Sequence, residues 1–388
     1  MRDVPDLPLR KFVAPEIVFG PGARHLAGRY ARNFGIRKVL VVTDPGVIQA
    51  GWAGDVLASL EREGVGHAVF SSVTPNPRAE QVAQGADLYS KERCSGLVAV
   101  GGGSPMDCAK GIGIASSNGR PILSFVGVDR VPVPMPPLLC VPTTGGSSAD
   151  VSQFAIIADA RRKVKRAIIS KAVVPDVALI DPETLTSMSS YLAACTGMDA
   201  LVHAVEAYVS NAHSPLTDVH ALEAIRRLSS RLVASVEDPG NVDLKAEIML
   251  GSLQAGMAFS NASLGAVHAM AHSLGGFLDL PHGECNALLF DSVLTFNFAG
   301  ARERYREIAL ALGIRPRGGT WASLKRDLLA WVRDLKKQIG VSSTLASKGV
   351  VRSDLPPLAR KASQDPCIVT NPRALSLRDI ERMYEEAL

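Results

Sequence analysis

The chain has 388 residues, 47% of them hydrophobic, which is enough to bury large cores and favours two domains over one. A net charge of +4, from 42 basic and 38 acidic residues spread along the chain, is too mild for a nucleic-acid binder. No window holds roughly eighteen uninterrupted apolar residues, and the N-terminus lacks the apolar core of a secretion signal, so no membrane span and a cytoplasmic location are expected.

From the N-terminus, short β-branched runs alternate with helical patterns. Lys38–Thr43, His67–Ser71, Gly96–Val100 and Leu138–Val141 are near-continuous apolar runs, as expected of strands covered on both faces. Helical stretches near 47–63, 78–93 and 105–117 separate them, a rhythm that predicts a parallel sheet wound with helices. Ala155–Ile157 and Arg166–Ser170 read as a hairpin whose tip carries the one dense basic cluster, Arg161–Arg166, and Val177–Asp181 adds a strand. After Thr186 the texture changes. Segments 190–210, 217–236, 243–262 and 264–275 are rich in Ala, Leu, Met and Glu, and an all-helical second half is the economical reading. The six cysteines, at 94, 108, 140, 195, 285 and 367, show no CxxC spacing and read as buried thiols.

Gly96–Val100 leads directly into Gly101-Gly102-Gly103-Ser104-Pro105-Met106-Asp107. Glycines after a strand let backbone N–H groups approach an anion, Ser104 and Pro105 suit an N-cap and a first-turn proline, and Asp107 stands at capping-box spacing. A helix N-terminus of this kind suits a pyrophosphate. Gly20-Pro21-Gly22 begins like GxGxxG, but His25 stands where the third glycine belongs and Pro21 lacks a donor, so it reads as a turn. Asp44 ends a strand where an acid accepts bonds from an adenosine ribose and repels a 2′-phosphate, favouring NAD over NADP; Asp44-Pro45-Gly46 is equally good turn chemistry. Pro142–Asp150 is dense in hydroxyls and glycines that suit a ribose or adenine edge.

The second half carries a metal pattern. Asp199 and His203 are four apart, as are His268 and His272, so on helices each pair shares a face. Pro281-His282-Gly283 follows a break at Gly275-Gly276 and places His282 on a turn. The flanking residues are apolar, and buried imidazoles with a buried carboxylate are costly unless a shared cation satisfies them. These residues are five candidate ligands, and nitrogen and oxygen donors without thiolate suit Fe²⁺, Zn²⁺, Mn²⁺, Co²⁺ or Ni²⁺.

Together these segments, with Ala178–Glu183, Thr196–Glu206, His268–Gly275, Pro281–Asn286 and Thr370–Arg373, resemble the iron-dependent (group III) alcohol dehydrogenases over nearly the whole chain. The resemblance implies an α/β N-terminal dinucleotide-binding domain with a parallel sheet at 1–186 and an all-α metal-binding domain at 187–388. It implies Asp199, His203, His268 and His282 as ligands of a divalent metal, Fe²⁺ first and Zn²⁺ next, and leaves His272 facing the nicotinamide end as a candidate proton relay. Asp44, Asn76, Gly102, Gly103, Ser104, Asp107, Thr143, Thr144 and Ser147 would contact NAD, with Lys165 near its ribose. The family also implies a homodimer or larger homo-oligomer. Where the family continues ProThrThr with AlaGlyThrGlySerGlu, this chain has Gly145-Gly146-Ser147-Ser148-Ala149-Asp150, so the loop conformation is expected to differ.

The expected activity is interconversion of a small primary alcohol or diol with its aldehyde. The altered loop leaves a regulatory or sensory protein with weak turnover as an alternative. A polyol dehydrogenase or an NAD-dependent lyase of the dehydroquinate synthase class is another. Those enzymes would want Lys and Arg beside the metal; the ligand segments have none, and Met257, Phe259, Leu264 and Phe277 nearby favour an apolar alcohol.

Overall fold

A computed structural model describes residues 9–315 and 319–388; residues 1–8, read above for a leader, lie outside the described residues. Strands β1 (Glu16–Phe19), β2 (Lys38–Val42), β3 (Gly66–Phe70) and β4 (Gly96–Gly101) come from the first hundred or so residues. They alternate with helices α1 (Ala27–Asn33), α2 (Pro45–Gln49), α3 (Trp52–Arg62) and α4 (Ala79–Lys91). Helix α5 (Gly103–Asn118) follows, then β5 (Gly127–Val128), β6 (Leu138–Pro142), β7 (Phe154–Asp159), β8 (Val164–Ile169) and β9 (Val177–Ile180).

The main sheet has the order β1-β9-β6-β4-β2-β3, with every pairing parallel. Both its faces are covered, which explains the unbroken apolar runs. Leu40, Val42, Leu97 and Ala99 point into one core; Val39, Val41, Val98 and Val100 point into another. A smaller sheet, β5-β8-β7, contains the expected antiparallel hairpin β7/β8. The terminal strands of both sheets, β1 and β5, carry only four and two residues, too short for period counting to reveal.

From Ser190 onward only helices occur among the described residues: α6 (Ser190–Val209), α7 (Pro215–Glu237), α8 (Val242–Ala262), α9 (Ala266–Leu278) and α10 (His282–Asn297). Four more follow, α11 (Arg302–Ala311), α12 (Trp321–Gln338), α13 (Leu355–Ala362) and α14 (Leu377–Ala387). Helix α6 begins where Ser189 Oγ accepts the N–H of Leu192, and it is buried almost all round among α7, α8 and α10. None of these helices is long and apolar enough to cross a membrane. All six cysteines are buried and unpaired.

Three local expectations need correction. Helix α9 runs straight through Gly275-Gly276, because those glycines serve packing: a methyl at Gly276 would lie 2.4 Å from Val164 Cα, where β8 crosses the helix. His282 is the first residue of α10, with Pro281 before it, and is not on a turn. Ser104 does not cap α5, which starts one residue earlier with Gly102 at the N-cap; Ser104 Oγ instead accepts the N–H of Asn76 at 3.2 Å, and Asp107 forms no capping box.

Gly283 fixes how closely α10 approaches α6, since a methyl there would sit 1.9 Å from the Cys195 carbonyl oxygen. Gly283→Ala is expected to cost about 1–3 kcal/mol by overpacking. Gly54→Ala, exposed on α3 with open space around it, should be neutral or stabilising. Denaturant midpoints of the two variants check this; equal midpoints would contradict the packing role.

Candidate active site

The C-terminal ends of β2, β4 and β6 open onto a cleft of about 840 Å³ whose opposite wall is formed by α6, α8, α9 and the start of α10. The sheet order reverses between β2 and β4, since the chain leaves β2 for β3 and returns to β4 on its other side. Such a switch point is where open parallel sheets take ligands. All fifteen residues singled out above line this cleft, from Asp44 and Asn76 through Lys165 to Asp199, His203, His268, His272 and His282.

On the sheet side, Gly101 has φ 153° and packs under Pro105, and α5 begins with no side chain on its free N–H groups. Methyl groups at Gly102 and Gly103 would strike Thr144 and Ser147 at 2.9 Å, so the two loops interlock with bare backbone between them. Thr143 N–H donates to the Gly101 carbonyl and fixes that register. Asp44 does serve the turn: Oδ1 accepts the N–H of Val47 at 3.0 Å and caps α2, while the residue still borders the cleft. Asn76, at φ 58°, donates from Nδ2 to Asp279 Oδ1 at 2.8 Å, linking the sheet-side lip to the end of α9.

The divergent loop borders the cleft through Ser147 and Ala149. Ser148, where the family has glycine, holds φ 50°, a conformation that costs a side chain roughly 1–2 kcal/mol, and its Oγ donates to the Ser252 carbonyl at 2.8 Å. Gly146 abuts Thr196, with 2.2 Å left for a methyl. Asp150 is buried, and burial pushes its carboxyl up to about 6. Burial likewise pushes Asp107 up to about 7 and pulls the amines of Lys110 and Lys165 down. Lys110 Nζ is satisfied by the carbonyls of Ser152 and Phe154 at 2.9 and 2.7 Å.

On the helix side, three imidazole nitrogens converge on one carboxylate oxygen. Asp199 Oδ1 lies 3.8 Å from His203 Nε2, 3.6 Å from His268 Nε2 and 3.9 Å from His282 Nε2. Those separations exceed hydrogen bonds and lie just above the about 3–3.5 Å that separates donors held at roughly 2.1 Å around one cation. The donor set therefore fits a divalent metal. Asp199, His268 and His282 offer atoms mutually within 4.8 Å, and His203 joins them through Asp199, its ring stacked between His268 and Phe259. Burial disfavours a charged Asp199, yet the facing imidazoles, His203 foremost, hold its carboxyl well below the usual range. Burial drives His203 down to about 3 and His282 well below its ordinary value, so both present neutral imidazoles.

Residues not assigned from the sequence orient these candidate ligands. Glu206 Oε2 lies 2.6 Å from His268 Nδ1, and the same carboxylate accepts backbone N–H groups from Gly265, Val267 and His268. Asn286 Nδ2 donates to Asp199 Oδ1 at 2.6 Å. Asn371 Oδ1 accepts the N–H of Ala266, giving Thr370–Arg373 a role as a brace on α9. His272 points its Nδ1 at Asp365 Oδ2, 2.8 Å away, and stacks on His282. Glu206, Asn286 and Asn371 lie inside the family segments; Asp365 lies in none of them. Of the expected apolar wall, Phe259 and Leu264 border the cleft, but Met257 does not and Phe277 is 36% exposed. The missing area comes from β7, whose alternate residues Phe154, Ile156 and Ala158 face the cleft.

Comparison with known proteins agrees with this geometry. The family model "Iron-containing alcohol dehydrogenase" matches residues 14–182, and its C-terminal counterpart matches residues 193–388. The chain is 35% identical over 378 residues to the NAD-dependent methanol dehydrogenase of Bacillus methanolicus, covering 97% of this chain and 99% of that one. It is 36% identical over 379 residues to the 1,3-propanediol dehydrogenase of Citrobacter freundii, covering 97% and 98%. The crystal structure of a 1,3-propanediol oxidoreductase superimposes with a TM-score of 0.94 at 36% identity, over 98% of this chain and 100% of that one. In sequence along both halves, the chain belongs to the iron-containing alcohol dehydrogenase family.

Proposed function

We propose that the cleft interconverts a small, largely apolar primary alcohol or diol with its aldehyde, with Asp199, His203, His268 and His282 as the metal ligands. The convergence of three imidazoles on Asp199 beside an uncapped glycine-rich helix start carries this reading. A bound divalent metal supplies Lewis-acid polarisation of the alcohol or aldehyde oxygen, and bound NAD supplies the hydride acceptor or donor.

The remaining work falls to the chain. The N–H groups at the start of α5, with Gly102, Gly103 and Ser104, receive the pyrophosphate; Asp44 receives the adenosine ribose; Asn76, Asp107, Thr143, Thr144, Ser147 and Lys165 border the rest of the dinucleotide. Phe154, Ile156, Phe259 and Leu264 keep water from the reacting carbon and suit a short apolar chain. With Nδ1 committed to Asp365, His272 has Nε2 left for the cleft, where it accepts the hydroxyl proton in oxidation and returns it in reduction. The relatives named for methanol and propanediol take substrates of this size. Among the described residues Lys165 is the one basic side chain of Lys or Arg type in the cleft wall, short of the basic cluster that a phosphorylated or polyhydroxylated substrate would want. In this reading the enzyme is cytoplasmic and works as a homodimer or larger homo-oligomer.

Following NAD reduction across short primary alcohols and diols, with Fe²⁺ or Zn²⁺ added back, tests the reading; no turnover with any of them would overturn it. His268→Ala should lose stoichiometric metal and turnover while NADH binding, read by fluorescence, persists. A metal-replete, fully active variant would remove His268 from the ligand set. Asp44→Gly should shift the NAD-to-NADP ratio of kcat/KM toward NADP by about tenfold, about 1.4 kcal/mol. An unmoved ratio would leave Asp44 as the α2 cap alone.

A further inference from the structure

Asp365 is 93 residues from His272 in sequence, yet it touches that ring directly. Asp365 follows α13 and opens the short helical turn Pro366–Thr370, where Oδ1 accepts the N–H of Cys367 at 2.9 Å. Its second oxygen, Oδ2, meets His272 Nδ1 at 2.8 Å, with side-chain exposures of 3% and 7% for His272 and Asp365. Capping a turn does not require a charge; serine or asparagine does it, and burying a carboxylate costs several kcal/mol unless a partner repays it. The partner here is the imidazole. Burial acts to raise the Asp365 carboxyl, and the neighbouring His272 more than offsets that, keeping it below the ordinary range. The proximity of His272, Asp365 and Cys367 invites a second metal site, but the direct His272–Asp365 contact already satisfies those two donors and burial holds the Cys367 thiol protonated.

We propose that Asp365 is a positioning residue for the dehydrogenase reaction: it anchors the Nδ1 proton of His272, fixing the ring and leaving the Nε2 lone pair facing the cleft. The inference rests on the proposed role of His272 as proton acceptor. In oxidation the substrate O–H bond breaks and its proton passes to Nε2, while the carbinol hydrogen leaves with its electron pair to the NAD of the proposed reaction. In reduction both transfers reverse. An imidazole with its proton on Nε2 has no lone pair there to receive the hydroxyl proton, so the tautomer decides whether the ring can act.

Two variants separate positioning from capping. Asp365→Ser keeps a hydroxyl for the Cys367 N–H but does not reach His272. Asp365→Asn has one oxygen for two donors; if it stays on Cys367, its NH₂ faces Nδ1 and drives the proton to Nε2. In the metal-loaded full chain both should lower kcat by about 10- to 100-fold, with metal stoichiometry and KM for NAD within about twofold of wild type. Placed on His272→Ala, neither should lower kcat further by more than about twofold, because the residue acts through that ring. Unchanged kcat in the single variants, or full additivity on His272→Ala, would overturn the proposal. An unchanged kcat in His272→Ala itself would instead sink the proton-acceptor reading on which it stands. A readout independent of activity and of variant folding comes from ¹⁵N-histidine spectra of the zinc-loaded chain, with His272 assigned by the signal missing in His272→Gln. The Nδ1–H form is expected, and a proton resident on Nε2 alone would refute the positioning role.

Discussion

The buried Glu206 carboxylate at the start of α9 holds this site in register. Its two oxygens gather three backbone N–H groups from Gly265, Val267 and His268 together with the His268 ring. A helix N-terminus with no capping side chain of its own would bury orphaned donors, and a buried glutamate would be an uncompensated charge. Each cancels the other's cost. Because Glu206 is on α6, one turn beyond His203 and two beyond Asp199, the same contact that caps α9 brings His268 against the Asp199–His203 pair. The capping of one helix and the assembly of the proposed metal site are one interaction.

That coupling explains why so many polar side chains survive inside a helical half whose walls are otherwise Ala, Leu, Val and Met. Asn286 on α10 is tied to Asp199, Asn371 braces the N-terminus of α9, and Asp365 meets His272. Every one of these bonds joins segments far apart in the chain, so each is formed only when the helices are docked. The site is therefore rigid for the reason that its parts are expensive to bury singly. Glu206 also orients the His268 ring, holding its Nδ1 and leaving Nε2 on the side of Asp199.

Strand–helix alternation, the glycine-rich turn and the i, i+4 pairs were legible because each is a local pattern with a physical period. Phe154, Ile156 and Ala158 were not recognised as cleft wall, although their alternation is visible, since nothing local says which face of a hairpin strand meets a cavity. Gly275-Gly276 looked like a helix break because glycine weakens helices; the contact with Val164 that demands it lies more than a hundred residues away. Ser104 misled in the same way, its hydroxyl being taken by Asn76 across the loop rather than by its own helix. Asp365 carried no signal at all, standing outside any motif and paired with a histidine only through the fold.

The close approach at Gly276 has a consequence for chemistry. Helix α9 presents His268 and His272 to the cleft, and its last turn lies against β8 next to Lys165 in the cleft wall. The same helix ends at Asp279, which grips Asn76 across the mouth of the cleft. One helix of thirteen residues thus carries a proposed metal ligand and the candidate proton acceptor, and borders the proposed dinucleotide wall and its lip. Hydride transfer is steeply sensitive to the distance between donor and acceptor carbons, and a misplacement of about 1 Å can cost roughly a hundredfold in rate. Bare backbone at Gly276 removes the side-chain layer that would otherwise separate helix from strand, so in the proposed reading the spacing between His268 and the Lys165 wall rests on this close helix–strand packing.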